Sequence, residues 1–111
     1  MSKSTLHLRE HPTLSDIQKY VVDLEKERGF EKNNLDPIKT ALQLGEEVGE
    51  LFKAIRKREK ITIAKDSTVS EVADELADIL NFVAAIANRY AIDLETAFRE
   101  KEEKNKKRTW V

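Results

Sequence analysis

One stretch of the chain, Leu44-Gly-Glu-Glu-Val-Gly-Glu-Leu51, is echoed 28 positions later by Val72-Ala-Asp-Glu-Leu-Ala-Asp-Ile79. Both stretches place two acids three residues apart, beside apolar residues that recur with the period of a helix. Residues three apart lie on the same side of a helix, so the two acids of each pair are neighbours. The pairs are Glu47 with Glu50 and Glu75 with Asp78. The sequence therefore predicts two helices with matching acidic edges.

The charge around these acids is unusual for a solvent-exposed helix face. Residues 71–88 carry four acids and no base, and residues 40–52 carry three acids and no base. Like charges four residues apart, such as Glu46 and Glu50, cost about 0.2–0.5 kcal/mol per pair in an isolated helix. A solvated face held by ion pairs is the alternative explanation, but it needs bases that these segments lack. If the two helices are antiparallel neighbours, their acidic edges meet beside a shared core and require a cation.

The residue types near the acids decide which cation fits. All candidate ligands are carboxylate oxygens, the chain has no cysteine, and its two histidines, His7 and His11, lie outside the predicted helices. Oxygen ligands favour Mg²⁺ or Mn²⁺ over Zn²⁺ or copper. Mg²⁺ held by a few carboxylates usually keeps several waters and meets substrate phosphates. The pattern indicates a magnesium site, with Mn²⁺ as a substitute, and phosphate chemistry.

Apolar periodicity predicts four helices joined by short connections. The first is expected to begin near Ser15, acting as its N-cap, and to end near Arg28. The second is expected to begin after Asp36, with Pro37 at its first position, and to run to about Arg58. Both starts carry residue types that suit the first turn of a helix.

The third helix is expected to begin at a cap formed by Thr68 or Ser70 and to end near Tyr90. Asp93 is expected to cap the fourth, which runs from Leu94 into the charged tail. Helices joined by short connections pack as antiparallel neighbours. These patterns predict an all-α, four-helix bundle-like fold.

Length and composition limit the classes of protein to which the chain can belong. Its 111 residues suit one domain, 1–111, in which residues 1–12 show no periodicity and are expected to form a flexible N-terminal arm. The formal net charge of −1 gives no basic field for nucleic acid, and the basic run 104–108 offers only a weak alternative. No apolar run reaches the roughly 18 residues of a membrane span, and the N-terminus lacks the apolar core of a signal peptide. Because the chain has no cysteine to form disulfides, a cytoplasmic location is expected.

Two motifs in this arrangement resemble a known family. Glu46-Glu47-x-x-Glu50 followed by Glu75-x-x-Asp78 is similar to the EExxE…ExxD signature of MazG-type all-α nucleotide pyrophosphohydrolases. Within that family the sequence looks most like the dCTP pyrophosphatase branch, and the resemblance covers residues 12–110. The further segments that carry it are Pro12-Thr-Leu-Ser-Asp-Ile17, Glu27-Arg28, Val48-Gly-Glu-Leu51, Ile92-Asp-Leu94 and Lys101-x-x-x-Asn105.

The resemblance implies the Mg²⁺-dependent cleavage of a nucleoside triphosphate into a monophosphate and pyrophosphate, as house-cleaning of the nucleotide pool. The Mg²⁺ ligands that it implies are Glu47, Glu50, Glu75 and Asp78. It gives Glu46, one residue before a ligand, a catalytic role as a supporting group or general base. It also implies a homodimer or homotetramer in which a neighbouring subunit completes each site.

The resemblance further implies four substrate-binding residues, which are Phe30, Phe82, Lys101 and Asn105. Phe30 stands where the dCTP pyrophosphatase branch carries a Trp near the base, and Phe82 is an aromatic residue one turn after the last ligand. From the residues alone, Phe30 is also explained as an apolar plug at the end of the first helix, and Phe82 as a core side chain. Lys101 and Asn105 are implied contacts of the phosphates or the sugar.

A second function is consistent with the sequence. The chain could be a non-enzymatic helical oligomerisation module whose acidic face binds a basic partner. The two hypotheses differ in whether the acids hold a cation or a protein.

Overall fold

The computed structural model describes residues 4–30, 36–61 and 69–110, and within these ranges all regular structure is α-helical. The predicted all-α class is confirmed. The helices are α1 (Leu14–Glu27), α2 (Pro37–Arg58), α3 (Val72–Arg89) and α4 (Leu94–Asn105). In the described ranges, no helix has the length and apolarity that crossing a bilayer requires.

The start of α1 differs from the sequence prediction. Thr13, not Ser15, is the N-cap, because the extended backbone at Thr13 lets its hydroxyl accept a hydrogen bond from the Asp16 N–H at 3.1 Å. The Asp16 carboxylate accepts the Thr13 N–H at 2.9 Å in return, which completes a capping box. Ser15 instead donates its hydroxyl to the Asp93 carboxylate at 3.2 Å.

The caps of the other helices are only partly as predicted. Asp36 and Asp93 cap α2 and α4 through their carboxylates, which confirms both predictions. Helix α3 begins after Glu71, whose side chain makes no capping bond. Ser70 is not the predicted cap, because its hydroxyl is donated to the Glu75 carboxylate. The alternative cap, residue 68, lies outside the described residues.

Helix α3 organises the packing because it contacts both α1 and α2. Lys57 Nζ lies 3.9 Å from a Glu71 carboxylate oxygen near one end of the α2–α3 pair, and Thr40 and Ala85 line a shared cavity near the other end. Helices α2 and α3 are therefore antiparallel, as predicted. Helix α1 packs on the C-terminal half of α3, where Val21 and Ala85 belong to one buried cluster, and α4 packs on α1.

A buried amide fixes how α1, α3 and α4 meet. The Gln18 side chain donates to the Asn88 side-chain oxygen at 3.2 Å and to the Ile92 carbonyl at 2.8 Å. Its oxygen accepts the Leu94 N–H at 2.8 Å, and Asn88 donates back to the Gln18 carbonyl at 3.0 Å. Every polar atom of the Gln18 side chain is thus satisfied, which sets the register of α1 on α3 and the point where α4 begins.

The described part of the N-terminal arm, residues 4–12, follows a defined path along α1. The Ser4 hydroxyl donates to a Glu27 carboxylate oxygen at 2.8 Å, and Arg9 Nε donates to the Asp16 carboxylate at 2.6 Å. These two contacts hold the arm at opposite ends of α1. The Arg9–Asp16 pair is exposed, so its contribution to stability is small.

The buried apolar core of the described chain is small and is built largely from alanine. Its members are Val21, Ala54, Ala84, Ala85 and Ala87. Larger apolar side chains stay in solvent on the α2–α3 pair, since Ile38, Leu42, Phe52 and Leu76 are exposed by 69%, 67%, 60% and 53%. One copy of the chain therefore leaves much of its apolar helix surface uncovered.

Replacing Gln18 with Leu should test the buried amide. The substitution keeps the volume but leaves the Leu94 N–H, the Ile92 carbonyl and the Asn88 side-chain oxygen without their partner, which should cost about 1–3 kcal/mol of unfolding free energy. Urea unfolding at one fixed protein concentration measures the loss, and the variant Lys19→Leu, at the exposed neighbouring position, is the control. Equal stability of the Gln18 variant and the wild type would contradict the role given to this amide.

Candidate metal centre

Three acids from the two echoed segments meet across the α2–α3 interface. Glu47 of α2 and Glu75 and Asp78 of α3 each offer a carboxylate oxygen, and these oxygens lie within 4.8 Å of one another. The i,i+3 spacing places Glu75 and Asp78 on one side of α3, and the antiparallel pairing brings Glu47 opposite them. We call these three residues the acidic cluster.

Glu75 is the most constrained member of the acidic cluster. It is 5% exposed, and one of its oxygens accepts the Ser70 hydroxyl. Its other oxygen, Oε2, is buried, and while the neighbouring carboxyls are ionised it has no hydrogen-bond donor among the described residues. A buried carboxylate oxygen without a donor is costly, so the site needs a positive group or a proton at this point.

The pKa of Glu47 is raised because the carboxyl groups of the acidic cluster lie so close together. A hydrogen bond with the Glu75 carboxyl, burial, and the negative charges of Asp78, Glu75 and Glu50 raise the pKa of Glu47 from 4.5 to about 7. The two carboxyls can share that hydrogen bond only while one of them is protonated. Near neutral pH the acidic cluster therefore favours the uptake of a proton or a cation.

The acidic cluster fits a small divalent cation. Its donors are all carboxylate oxygens, which suit Mg²⁺ or Mn²⁺ rather than zinc or copper. Octahedral Mg²⁺ with ligands at about 2.1 Å places opposite ligand oxygens about 4.2 Å apart. The observed limit of 4.8 Å is therefore within a small side-chain rotation of that geometry. Three protein ligands also leave positions for water and substrate oxygens.

The two remaining acids of the motif lie outside the cluster. Glu50 is one turn after Glu47 on α2, and its carboxylate is 3.7 Å from Lys53 Nζ. Its charge is nonetheless near enough to raise the pKa of Glu47. Glu46 is exposed on α2. The structure thus brings together three of the four predicted ligands and places the fourth beside them.

A cavity of about 270 Å³ adjoins the acidic cluster and is enclosed by α1, α2 and α3. Glu47 and Asp78 line it, as do both aromatic residues predicted to contact substrate, Phe30 and Phe82. The cavity therefore has carboxylates that can hold a cation as well as aromatic side chains in its walls. Such a combination suits a ligand that has both phosphate groups and a flat apolar part.

The structure also shows cavity residues that sequence reasoning missed. Glu25 and Arg89 form a buried ion pair there, with Arg89 Nη2 2.6 Å from a Glu25 oxygen and side-chain exposures of 13% and 6%. Asn81 lines the same cavity. Its position three residues after Asp78 is a signal that a helical wheel could have used. The pairing of Glu25 with Arg89 joins residues 64 apart in the chain, so no local pattern predicts it.

Lys101 and Asn105 are not brought to this cavity within one chain. Both lie on α4, which packs against α1, and neither is among the described residues that line the cavity. Lys101 is exposed, and the Asn105 amide donates to a Glu102 oxygen at 3.1 Å. Their role as substrate contacts stays a prediction that requires a second subunit.

The fold and the site together define the class: an all-α protein in which a helical hairpin pools carboxylates beside a ligand-sized cavity. Comparison with known proteins gives the family. The MazG nucleotide pyrophosphohydrolase domain matches residues 36–110, which include the whole acidic cluster and α2 to α4. The chain belongs to this family, as the sequence motifs predicted.

A solved structure of the same family is similar to this chain along most of its length. The crystal structure of iMazG from Vibrio DAT 722 shares 32% sequence identity and superposes with a TM-score of 0.57. The match covers 85% of this chain and 94% of iMazG. The comparison with curated proteins gave no match. The predicted closeness to the dCTP pyrophosphatase branch stays a prediction.

Replacing Glu47 with Gln should stabilise the protein when no metal is present. Because the folded-state pKa of Glu47 is about 7 and its ordinary value is 4.5, the folded state binds more protons between these pH values. The melting temperature of the wild type in EDTA should therefore fall as the pH rises from about 4.5 to 7. Glu47→Gln should flatten this slope and melt higher than the wild type at pH 8.

Thermal melts across this pH range, with and without Mg²⁺, check the account of Glu47. Mg²⁺ should raise the melting temperature of the wild type at pH 8 and have a much smaller effect on Glu47→Gln, because the variant lacks one ligand. Glu100→Gln, at an exposed site on α4, is the matched control and should behave as the wild type does. A wild-type melting temperature that rises through the same pH window in EDTA would refute the account.

Proposed function

We propose that the protein is a Mg²⁺-dependent nucleoside triphosphate pyrophosphohydrolase, which converts a ribo- or deoxyribonucleoside triphosphate and water into the monophosphate and pyrophosphate. The observation that carries the proposal is the acidic cluster, with its donorless Glu75 oxygen, at one part of a cavity lined by Phe30 and Phe82. Membership of the MazG family supports the same reaction class. Such an enzyme would act in the cytoplasm on the nucleotide pool.

In this proposal the carboxylates hold the cation and the substrate's phosphates meet it. Glu47, Glu75 and Asp78 would be three ligands, and Glu50 would be the fourth if its side chain turned from Lys53 towards the cluster. Bound Mg²⁺, or Mn²⁺ in its place, would supply Lewis-acid activation of the phosphoryl oxygens and of the attacking water. The Ser70 hydroxyl keeps the Glu75 carboxylate oriented towards α2.

Proton transfer and substrate positioning fall to other residues. Glu46 lies beside the cluster in sequence, is exposed, and would accept the proton of the attacking water as the P–O bond to pyrophosphate breaks. Phe30 and Phe82 would flank the nucleoside inside the cavity. Lys101 and Asn105 would reach the phosphates or sugar from a neighbouring subunit, because α4 does not line the cavity of its own chain.

The proposed assembly is a homodimer or homotetramer that covers the apolar face of α2 and α3. Leu42, Gly45, Gly49 and Phe52 follow one another at helical spacing along α2, and a Cβ on either glycine would meet nothing within 4 Å. The Cα radius of gyration, 16.8 Å, also exceeds the roughly 13 Å of a compact domain of this length. A second copy could pack its own bulky side chains against the two glycines and bury both faces.

The reaction is tested by a pyrophosphate-release assay with each ribo- and deoxyribonucleoside triphosphate. Turnover should require Mg²⁺ or Mn²⁺ and stop with EDTA. Glu75→Gln should lower kcat by about 100-fold or more, since it removes a buried ligand, whereas the exposed control Glu100→Gln should leave turnover intact. If no nucleotide yields pyrophosphate, the enzyme proposal fails and the acidic oligomerisation module takes its place.

The assembly is tested by analytical ultracentrifugation of variants that place a charge on the exposed apolar face. The double substitution Leu42→Glu with Phe52→Glu should produce monomers, because it buries two unpaired charges in the proposed interface. Leu8→Glu is the matched control, since Leu8 is also an exposed apolar residue but lies on the N-terminal arm. The interface is assigned wrongly if the Leu8 variant dissociates while the double variant keeps the wild-type mass.

A further inference from the structure

One polar side chain that lines the cavity, that of Asn81, makes no hydrogen bond that would stabilise the described fold. Asn81 lies on α3, is half-buried and lines the cavity next to Phe82. Its amide makes no hydrogen bond or ion pair with any residue in the described ranges. By contrast, the side-chain amides of Gln18 and Asn88, which join α1 and α3, are bonded to each other and to the backbone. Asn81 therefore differs from them in being available to a ligand.

The position of Asn81 along α3 indicates which part of a ligand it meets. The cavity runs along α3 from Asp78 through Asn81 to Ala85 and Arg89, and none of the described residues before Asp78 on this helix lines it. Asn81 lies three residues beyond the cluster member Asp78, which is about 4.5 Å along the helix axis, and Ala85 lies one further turn away. The helix thus presents a carboxylate, an amide and a methyl group on successive turns.

A nucleotide has the same order of parts: phosphates, then the pentose, then the base. If the phosphates bind at the acidic cluster, as the proposed function requires, the pentose lies at the turn that carries Asn81. We propose that the Asn81 amide binds a hydroxyl group of the nucleotide's pentose and makes the enzyme sensitive to the hydroxyl pattern of the sugar. The base then lies further along the cavity, beside Ala85 and the Glu25–Arg89 pair.

The chemistry of the two groups is complementary. A carboxamide has two donors and an acceptor, and a sugar hydroxyl has one donor and two acceptor lone pairs, so they can bond in either orientation of the amide. The amide is also neutral, so it neither repels the phosphates nor competes with the acids for the cation. Phe82 beside it offers an apolar surface to the carbon side of the pentose.

The test compares four triphosphates of one base: the ribonucleotide, the 2′-deoxy, the 3′-deoxy and the 2′,3′-dideoxy forms. For the wild type, kcat/KM should fall about 3- to 10-fold when the contacted hydroxyl is removed, the size expected for one neutral hydrogen bond. Asn81→Leu should lose the same factor on substrates that carry this hydroxyl, mainly through KM, and lose nothing on those that lack it. Asn81→Ser, whose neutral hydroxyl can still donate or accept a hydrogen bond, should retain part of the preference and shows that the effect is not one of folding.

Each outcome of this test either supports or overturns the proposed contact between Asn81 and the sugar. A coupling between Asn81 and one hydroxyl, with the dideoxy substrate turned over equally by the wild type and Asn81→Leu, supports the proposal. An equal loss on all four substrates would overturn it, and so would an unchanged sugar preference in Asn81→Leu. When the four sugars are repeated with a second base, a loss in Asn81→Leu that follows the base and not the sugar would overturn the proposal and assign Asn81 to the base edge. Absence of pyrophosphate release by the wild type itself is the distinct result that overturns the proposed function.

Discussion

The mutual repulsion of carboxylates across the α2–α3 interface is the constraint on which the rest of the molecule depends. Glu75 is buried, Glu47 faces it, and Asp78 adds a third charge within 4.8 Å. A hairpin selected for stability alone would carry apolar side chains here, because unpaired buried charge is among the costliest features of a fold. The raised pKa of Glu47 reflects that cost. A bound cation would offset it, and for this reason the acidic cluster is better explained by binding than by folding.

The same hairpin carries two different surfaces, and their arrangement links the site to the assembly. On α2, the side chains that approach α3 include Thr40, Glu47 and Ala54, whereas Leu42 and Phe52 face away into solvent. Coverage of that outer face by a second copy would hold the hairpin closed against the repulsion at the acidic cluster. Assembly and metal binding would then stabilise the α2–α3 hairpin from opposite sides. Each would therefore increase the affinity of the other.

Local sequence patterns correctly predicted the structural features that depend on residues close together in the chain. The four helices, the caps Asp36 and Asp93 and the matching acidic pairs all follow from residues a few positions apart. Predictions failed where one side chain had a choice of partners: Ser15 bonds Asp93 instead of capping α1, and Ser70 bonds Glu75 instead of capping α3. Such choices are decided by the tertiary arrangement, which no pattern within one helix contains.

The candidate site likewise contains features that local spacing predicted and features that only the tertiary fold determines. Helical spacing alone brings Glu75 and Asp78 together, and the antiparallel hairpin adds Glu47. The Glu25–Arg89 pair and the Gln18 amide network join helices that are distant in sequence, so they became visible only in the folded chain. The placement of α4 away from the cavity is likewise decided by the tertiary fold, and the predicted contacts of that helix with substrate stay a prediction that requires a second subunit.

Metal binding by the acidic cluster is tested most directly by anomalous X-ray diffraction from crystals grown with Mn²⁺ as a substitute for Mg²⁺. A metal centre here should give an anomalous difference peak bonded to carboxylate oxygens of Glu47, Glu75 and Asp78, with Glu75 Oε2 among its ligands. A fully ordered cluster without a peak at saturating Mn²⁺, or Mn²⁺ bound only elsewhere on the chain, would contradict it.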